Sequence, residues 1–341
     1  MGKKLNVQTI IVTYGNRANF VQRTVKRVLS FNEVSQVIIV DNNSSPESKR
    51  RLMRIAKEYG KKAKLIHNSK NEGPGRAIKA AIESEIRRER NNFFWILDDD
   101  NLPKPDALET LTRTWNTFNI KSKNENLIAV SFRKDRPNYL RAVLQNSPDE
   151  IMGIPNIFRS FHIKKAPSLL MRKVTHTGNT NYTNQSPDVG EIPVAPYGGM
   201  FFHRDLVKKH GYPDTEYYLY FDDYEFSRRV IREGGKIILA CKSIIEDQEQ
   251  SWYNKGFGFM RLAMQKNRTV MYYSVRNRIL FERDYLVTSK PVYLLNGLIY
   301  CGIMFFAMVI TLNFKNIMVF TEALLDGFKG RKGIRSKYML K

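Results

Sequence analysis

Over the first 132 positions, short apolar runs rich in β-branched residues alternate with stretches whose apolar residues recur every three or four places. The runs read as buried strands: VQTIIV at 7–12, QVIIVDN at 36–42, KLIHN at 64–68, FFWIL at 93–97 and LIAVSF at 127–132. Between them, Val21, Val25, Val28 and Leu29 share a helical face, and Ser45-Pro46 starts a helix carrying Leu52, Ile55, Ala56 and Tyr59. Pro74 opens another with Ile78, Ala81, Ile82 and Ile86, and Leu108, Leu111 and Trp115 mark a fourth. The alternation predicts an α/β fold: a mostly parallel sheet with helices on both faces. From about 133 to 195 the periodicity fades, and the polar stretch 176–193 is expected to be a mobile loop. Order is expected again at YGGMFFHRDL, 197–206, a strand whose glycines, Gly199 among them, allow close backbone approach. In 218–240, acids open a helix, Gly-Gly stops it and a strand follows.

In such sheets ligands bind beyond the carboxyl ends of the strands, and the chemistry-bearing residues fall there. Thr13 and Tyr14 follow the first strand, Asp41 and Asn42 the second, and Asp98-Asp99-Asp100 the fourth. One nucleotide-sized crevice would touch all of them. Three adjacent carboxylates repel one another and lose hydration when buried, so they call for a cation. Mg²⁺ or Mn²⁺ arriving with a diphosphate meets that need, whereas a solvated turn capping the next helix is the bland alternative. Asp222, Asp223 and Glu225 sit at a helix start, where acids serve as dipole partners or, more specifically, place a general base.

Charge adds a partner class. With 56 Lys+Arg against 33 Asp+Glu the formal net charge is +23, which favours anionic partners: nucleic acid, acidic lipid or phosphorylated substrate. The basic residues are scattered and no nucleic-acid-binding signature occurs, so no nucleic acid is expected. Two distant cysteines, Cys241 and Cys301, give no disulfide framework and suit a reducing cytoplasm. The first residues are too polar for a signal peptide and lead directly into a strand. Residues 291–314 carry no formal charge and have bilayer-spanning length. A single span would export the basic end KGRKGIRSKYMLK, against the positive-inside tendency. A segment that dips in and returns, or lies along the interface, is preferred, with 316–328 as a second surface helix on an anionic membrane surface.

In order along the chain stand VTYGNR (12–17), VDNNS (40–44), NEGPGRA (71–77), LDDDNLPKPDAL (97–108), YGGMFFHRD (197–205) and YFDDYEFSRR (220–229). Together they resemble the family 2 inverting glycosyltransferases of GT-A fold, over roughly residues 7–280. FDDYEFSRR and YYSVRNR (272–278) are similar to galactofuranosyl- and rhamnosyltransferase branches that build bacterial cell-surface polysaccharide. The resemblance implies an inverting, metal-dependent transferase moving a sugar from a nucleotide-diphosphate donor, UDP-galactofuranose ahead of dTDP-rhamnose and UDP-hexoses. It implies a polyprenyl-diphosphate-linked or oligosaccharide acceptor, at the cytoplasmic face of the membrane. By position it implies donor contacts from Thr13, Tyr14, Asp41, Asn42, Gly73, Arg76, Asp98 and Asp99. It also implies metal ligands Asp98 and Asp100, a catalytic base Asp223, and sugar contacts from Asp222, Glu225 and Gly199. Many relatives place a metal-binding His after the strand that here reads KIILACKSIIEDQEQSW; Asp247 is the nearest substitute, with Glu246 as competitor. Arg276 and Arg278 are read as diphosphate contacts or a solvated basic face, and His203 as a packed strand-end residue. The implied organisation is a nucleotide-sugar-binding half (1–132), an acceptor-binding and catalytic half (133–280) and a membrane-associating tail (281–341). The rivals are a sugar-phosphate nucleotidyltransferase, which calls for a Gly-rich loop after the first strand where VTYGNR has one Gly, and a non-catalytic scaffold.

Overall fold

The computed structural model describes residues 5–87, 93–165, 187–249 and 259–340. Its first half alternates strictly: β1 (Val7–Gly15), α1 (Ala18–Val28), β2 (Val34–Ser44), α2 (Pro46–Tyr59), β3 (Ala63–Asn68), α3 (Pro74–Glu83) and β4 (Phe93–Asp98). A short β5 (Asn101–Pro103) leads to α4 (Ala107–Thr117), α5 (Lys123–Asn126) and β6 (Leu127–Arg133). Then come α6 (Pro137–Leu144), α7 (Asp149–Met152), β7 (Val189–Glu191), β8 (Met200–His203), α8 (Arg204–His210), α9 (Asp222–Arg232) and β9 (Lys236–Asp247). Four helices close the described chain: α10 (Phe259–Ala263), α11 (Arg268–Tyr285), α12 (Lys290–Ile310) and α13 (Phe314–Phe328).

The strands form one mixed sheet in the order β3-β2-β1-β4-β8-β6-β9-β5, with β7 paired to β9. β1, β2, β3, β4, β6 and β9 share one direction, while β5, β7 and β8 oppose it. Helices cover both faces, so central strands are apolar on both sides: Ile10 and Ile38 pack into one core, Ile11 and Ile39 into the other. The antiparallel β8 enters between β4 and β6, and it carries the Tyr197–Gly199 turn into the sheet centre. Gly199, at φ +99°, donates its N–H to Ile96 O (2.8 Å) and accepts from Ser131 N (3.0 Å), which locks that turn between the two strands.

Two elements stand where the periodicity fades. α6 begins with a proline at its first position, and β7 falls inside the stretch read as a loop. Residues 176–186 of that stretch lie outside the described residues.

The last layer is helical. Met271, Tyr272, Met304 and Phe320 share a third core, in which α13 lies along α11 so closely that Gly327 abuts Ile279. After α13 the chain returns to the body. Gly333 N donates to Glu216 O (2.8 Å), Leu340 N to the Tyr218 hydroxyl (3.1 Å), and Lys332 pairs with Asp214 (2.7 Å).

Candidate active site

β4 delivers the acidic triplet, and the tight step into β5 spreads it. Asn101 Oδ1 accepts from Asp98 N (3.0 Å), so the three side chains diverge. Asp98 points outward with 44% of its side chain exposed, while Asp99 is buried. The first cations that answer these acids are two arginines. Arg17, just past β1, donates from Nε to both Asp99 oxygens (2.9 Å), from Nη2 to Asp100 Oδ2 (2.8 Å) and from Nη1 to Glu249 Oε2 (2.6 Å). Arg133 ends β6, buried, and donates from Nη1 to Asp98 Oδ2 (2.5 Å) and from Nη2 to Asp247 Oδ2 (2.7 Å). Thr13 Oγ1 donates to Asp99 Oδ2 (2.7 Å).

The compensation is incomplete. Burial pushes Asp99 to about 6, although Arg17 and Thr13 pull it back. Burial, with Asp98 and Asp99 alongside, pushes Asp100 to about 6. Asp247 is driven to about 7, by burial first and then by Asp135 and Asp100, against the pull of Arg133.

The second acid group stands at the head of α9, after a backbone that ordinary residues rarely adopt. Tyr218, Tyr220 and Phe221 sit at φ +66°, +63° and +66°. Left-handed conformations at such residues cost about 1–3 kcal/mol each and need outside support. Two buried α11 side chains supply it. Arg276 donates to the carbonyls of Tyr217 (3.0 Å), Glu216 (3.2 Å) and Gly333, and Asn277 Nδ2 donates to those of Tyr217 (2.7 Å), Leu219 and Tyr220 (3.0 Å). Arg276 is fully buried, and Arg278 pairs with Glu282 and the Met152 carbonyl. Neither is a solvated basic face; both are structural ties.

This support fixes Asp222 and Asp223. Asp222 is buried against Gly75 in the first turn of α3, and its Oδ2 has no hydrogen-bond partner among the described residues. The Tyr197 hydroxyl lies beside the Asp222 carboxyl, close enough to pull its pKa down. Burial and the neighbouring Asp223 raise the Asp222 pKa well above the carboxylate range. Asp223 is partly exposed, and burial raises it to about 6 while Arg136 pulls it down. One proton on Asp222 lets Asp223 ionise alone near pH 6.

The Tyr197–Gly199 turn joins the two groups. A Cβ on Gly198 would stand 2.5 Å from Asn101 Oδ1 and 2.7 Å from both Arg133 Nη1 and Asp98 Oδ2. One residue earlier, Tyr197 meets Asp222. Asp98 is close enough to raise the Asp223 pKa. A small gap of about 10 Å³ lies beside Arg133, lined by Ser131, Arg136, Tyr139 and Pro196 among others.

The other named residues divide by exposure. Tyr14 is half exposed at the end of β1, and Arg76 is partly exposed in the first turn of α3, 3.5 Å from Glu216. Asp41 is buried beside His67 Nδ1 (2.8 Å) and accepts from Ser44 N (2.7 Å). Asn42 is engaged by Asn68, Asn71 and Glu72 N, holding the loop that ends at Gly73. Gly73 takes φ +84° with its α-carbon pressed against the Tyr218 carbonyl, where no Cβ fits. Glu225 is held by Arg229 (3.0 Å), and His203 caps α8 by accepting from Asp205 N (3.2 Å). Of the competing acids on β9, Asp247 turns inward to Arg133 and Asn101 (2.9 Å), whereas Glu246 faces Lys104 and Lys134.

Asp98, Asp100 and Asp247 do not meet at one point, and among the described residues no three metal-ligating side chains gather into a cluster. Arg133 stands between Asp98 and Asp247. One oxygen each of Asp98 and Asp100 nonetheless stays outside these ion pairs. Asp100, raised by burial and the neighbouring acids, gains from an added positive charge, so with the outward-facing Asp98 it fits a divalent cation that completes its shell with substrate oxygens. Sequence reading passed over Arg17, Arg133, Arg136 and Tyr197. Arg17 and Arg133 carried one available signal, a basic residue within two positions of a strand's carboxyl end.

The mixed sheet, its helices and a strand-end acid cluster define an α/β fold of the GT-A glycosyltransferase class. Residues 9–120, about a third of the chain, match the family described as Glycosyl transferase family 2. Among solved structures, it is similar to the mannosyltransferase PcManGT from Pyrobaculum calidifontis in complex with GDP-Man and Mn²⁺. The two are 14% identical with a TM-score of 0.50, over 97% of this chain and 88% of that one. GalNAc-T7 with UDP, GalNAc and Mn²⁺ is likewise 14% identical with a TM-score of 0.50, over 72% of this chain; the match spans 44% of that longer protein. No curated protein shows significant sequence similarity.

Proposed function

We propose that this chain moves a sugar from a nucleoside-diphosphate donor to an acceptor hydroxyl, with inversion and with Asp223 as general base. One observation carries the reading: a strand-end carboxylate, Asp98, and a partly exposed carboxylate with a raised pKa, Asp223, flank one glycine turn. The family match and the donor-bound neighbours support the reaction class.

The base of the nucleotide lies against Tyr14, beside the strand ends that Asp41 and Asn42 brace. The diphosphate reaches the Gly73 loop and Arg76. Asp98 and Asp100 would hold Mg²⁺ or Mn²⁺, which when bound supplies positive charge against the departing diphosphate. Asp223 accepts the proton of the acceptor hydroxyl as that oxygen bonds to the anomeric carbon. The bond from that carbon to the diphosphate breaks, and its electron pair leaves with the nucleoside diphosphate. Asp222, protonated, holds the pair at a single negative charge, and Arg136 keeps Asp223 ionisable at neutral pH.

The Asp-Asp-x-Glu run of α9 puts UDP-galactofuranose first among donors, with dTDP-rhamnose and UDP-hexoses next, and a polyprenyl-diphosphate-linked or oligosaccharide acceptor in cell-surface glycan synthesis. A screen of UDP-, dTDP- and GDP-sugars for cation-dependent donor hydrolysis tests the reading. One donor class turned over by the wild type and not by Asp223→Asn is expected. No binding or turnover of any nucleotide sugar would overturn it.

A further inference from the structure

α12 buries one face and leaves the other uncovered. Tyr293, Asn296, Tyr300, Met304 and Met308 pack inward, with Asn296 tied to the Asn156 carbonyl (2.9 Å) and to Ile163 N (3.0 Å). The opposite face presents Leu294, Leu298 (72% exposed), Phe306 (68%) and Ile310, an apolar stripe about 24 Å long at 1.5 Å per residue. The turn into α13 is apolar too: Leu312 is 75% exposed, and Phe314 and Met318 continue the surface. Solvent-facing turns are normally polar, and monomers rarely expose patches larger than a few hundred Å².

Charge indicates what covers this face. Residues 285–321 contain no Asp or Glu, and exposed Lys290 and Lys315 stand near its two ends, with Lys266 and Arg268 on the neighbouring segment. An apolar strip with cations near both ends and no acid within its own segment complements an anionic bilayer surface. The chain also enters and leaves from one side. α11 precedes the strip within the body, and after α13 Gly333, Lys332 and Leu340 return to Glu216, Asp214 and Tyr218. A helix anchored by its inner face, with both flanks docked on the same body, cannot carry the basic end across a membrane.

We infer that α12 and the α12–α13 turn seat in one leaflet of an anionic membrane, holding the catalytic body against its surface without spanning it. This surface is independent of the transfer chemistry.

The test is flotation of the full chain with phosphatidylcholine vesicles, with and without phosphatidylglycerol. The wild type is expected to float with anionic vesicles. Leu298→Asp, Phe306→Asp or Leu312→Asp should lower partitioning by about tenfold or more each. Lys290→Glu with Lys315→Glu should remove the preference for phosphatidylglycerol. All these positions are exposed, so unchanged melting temperatures confirm folding. Trypsin added outside the vesicles should cut the catalytic body and the 329–337 segment together. A wild type that stays unbound overturns the inference. So does protection of one segment while the other is cut, or a soluble dimer dissolved by Leu312→Asp, which would make a second copy the cover.

Discussion

At the β4 turn, three carboxylates meet Arg17 and Arg133, whose guanidinium groups reach Asp98, Asp99, Asp100 and Asp247 in direct ion pairs. At the head of α9, two carboxylates meet no direct ion pair among the described residues; Arg136 acts on Asp223 through space, and Asp222 keeps an orphaned oxygen. Both places raise carboxylate pKa values, but for different ends. The first is an anchored acid array, with spare oxygens on Asp98 and Asp100 suited to a cation and phosphate oxygens. The second is a proton-sharing pair in which one member stays neutral and the other titrates near the working pH, as a general base requires.

Breaking the anchored array has the largest consequence. Arg133→Met leaves Asp98 and Asp247 without their shared buried cation, and a loss of about 3–5 kcal/mol in denaturant-measured stability is expected. Stability within 1 kcal/mol of wild type, on the order of an exposed ion pair, would show that the arginine is dispensable. Asp100→Asn keeps the fold and removes one of the two spare oxygens. Turnover should drop by about 10²–10³, and the Mn²⁺-induced rise in melting temperature should vanish. An unchanged Mn²⁺ shift would move the cation elsewhere.

The proton-sharing pair is sharpened by pH. As the proposed base, Asp223 must be ionised, and its folded pKa is raised to about 6, so kcat/KM should be level above about pH 7 and fall roughly tenfold per unit below 6. The sign reverses for stability. A carboxyl raised above its unfolded value near 3.9 stabilises the fold below that value, and the contribution disappears as pH rises through 6. Asp223→Asn should therefore exceed wild type in stability at pH 8, by on the order of 1–3 kcal/mol, and lose that advantage at pH 4. Asp222→Asn replaces a neutral acid by a neutral amide and should change kcat by less than about tenfold. A larger loss would assign the proton work to Asp222.

Local patterns in the sequence carried the strands β1 to β4 and β6, the helices between them, and the acids at strand ends, because each is written in a window of a dozen residues. What joins those acids is long-range. Arg17 meets Asp99 from 82 positions away, and Arg133 meets Asp247 from 114. Beyond its place at the end of a strand, nothing local distinguishes Arg133 from the other basic residues of a strongly cationic chain. The reversal of β8 escaped because four residues, MFFH, have no direction in a pattern of polarity. α6 escaped because its eight residues follow a polar turn, although Pro137 marked its start. Arg276 and Arg278 read as diphosphate contacts or a solvated basic face for a related reason: α11 is buried nearly all round, so its sequence has no clear polar face to locate them.

The central claim is tested most directly by measuring donor binding and turnover together in Asp223→Asn. Nucleotide-sugar affinity by calorimetry should stay within threefold of wild type while kcat for transfer falls by about 10²–10⁴, the range for a lost general base. Transfer retained within tenfold of wild type, with binding intact, would contradict the assignment of Asp223.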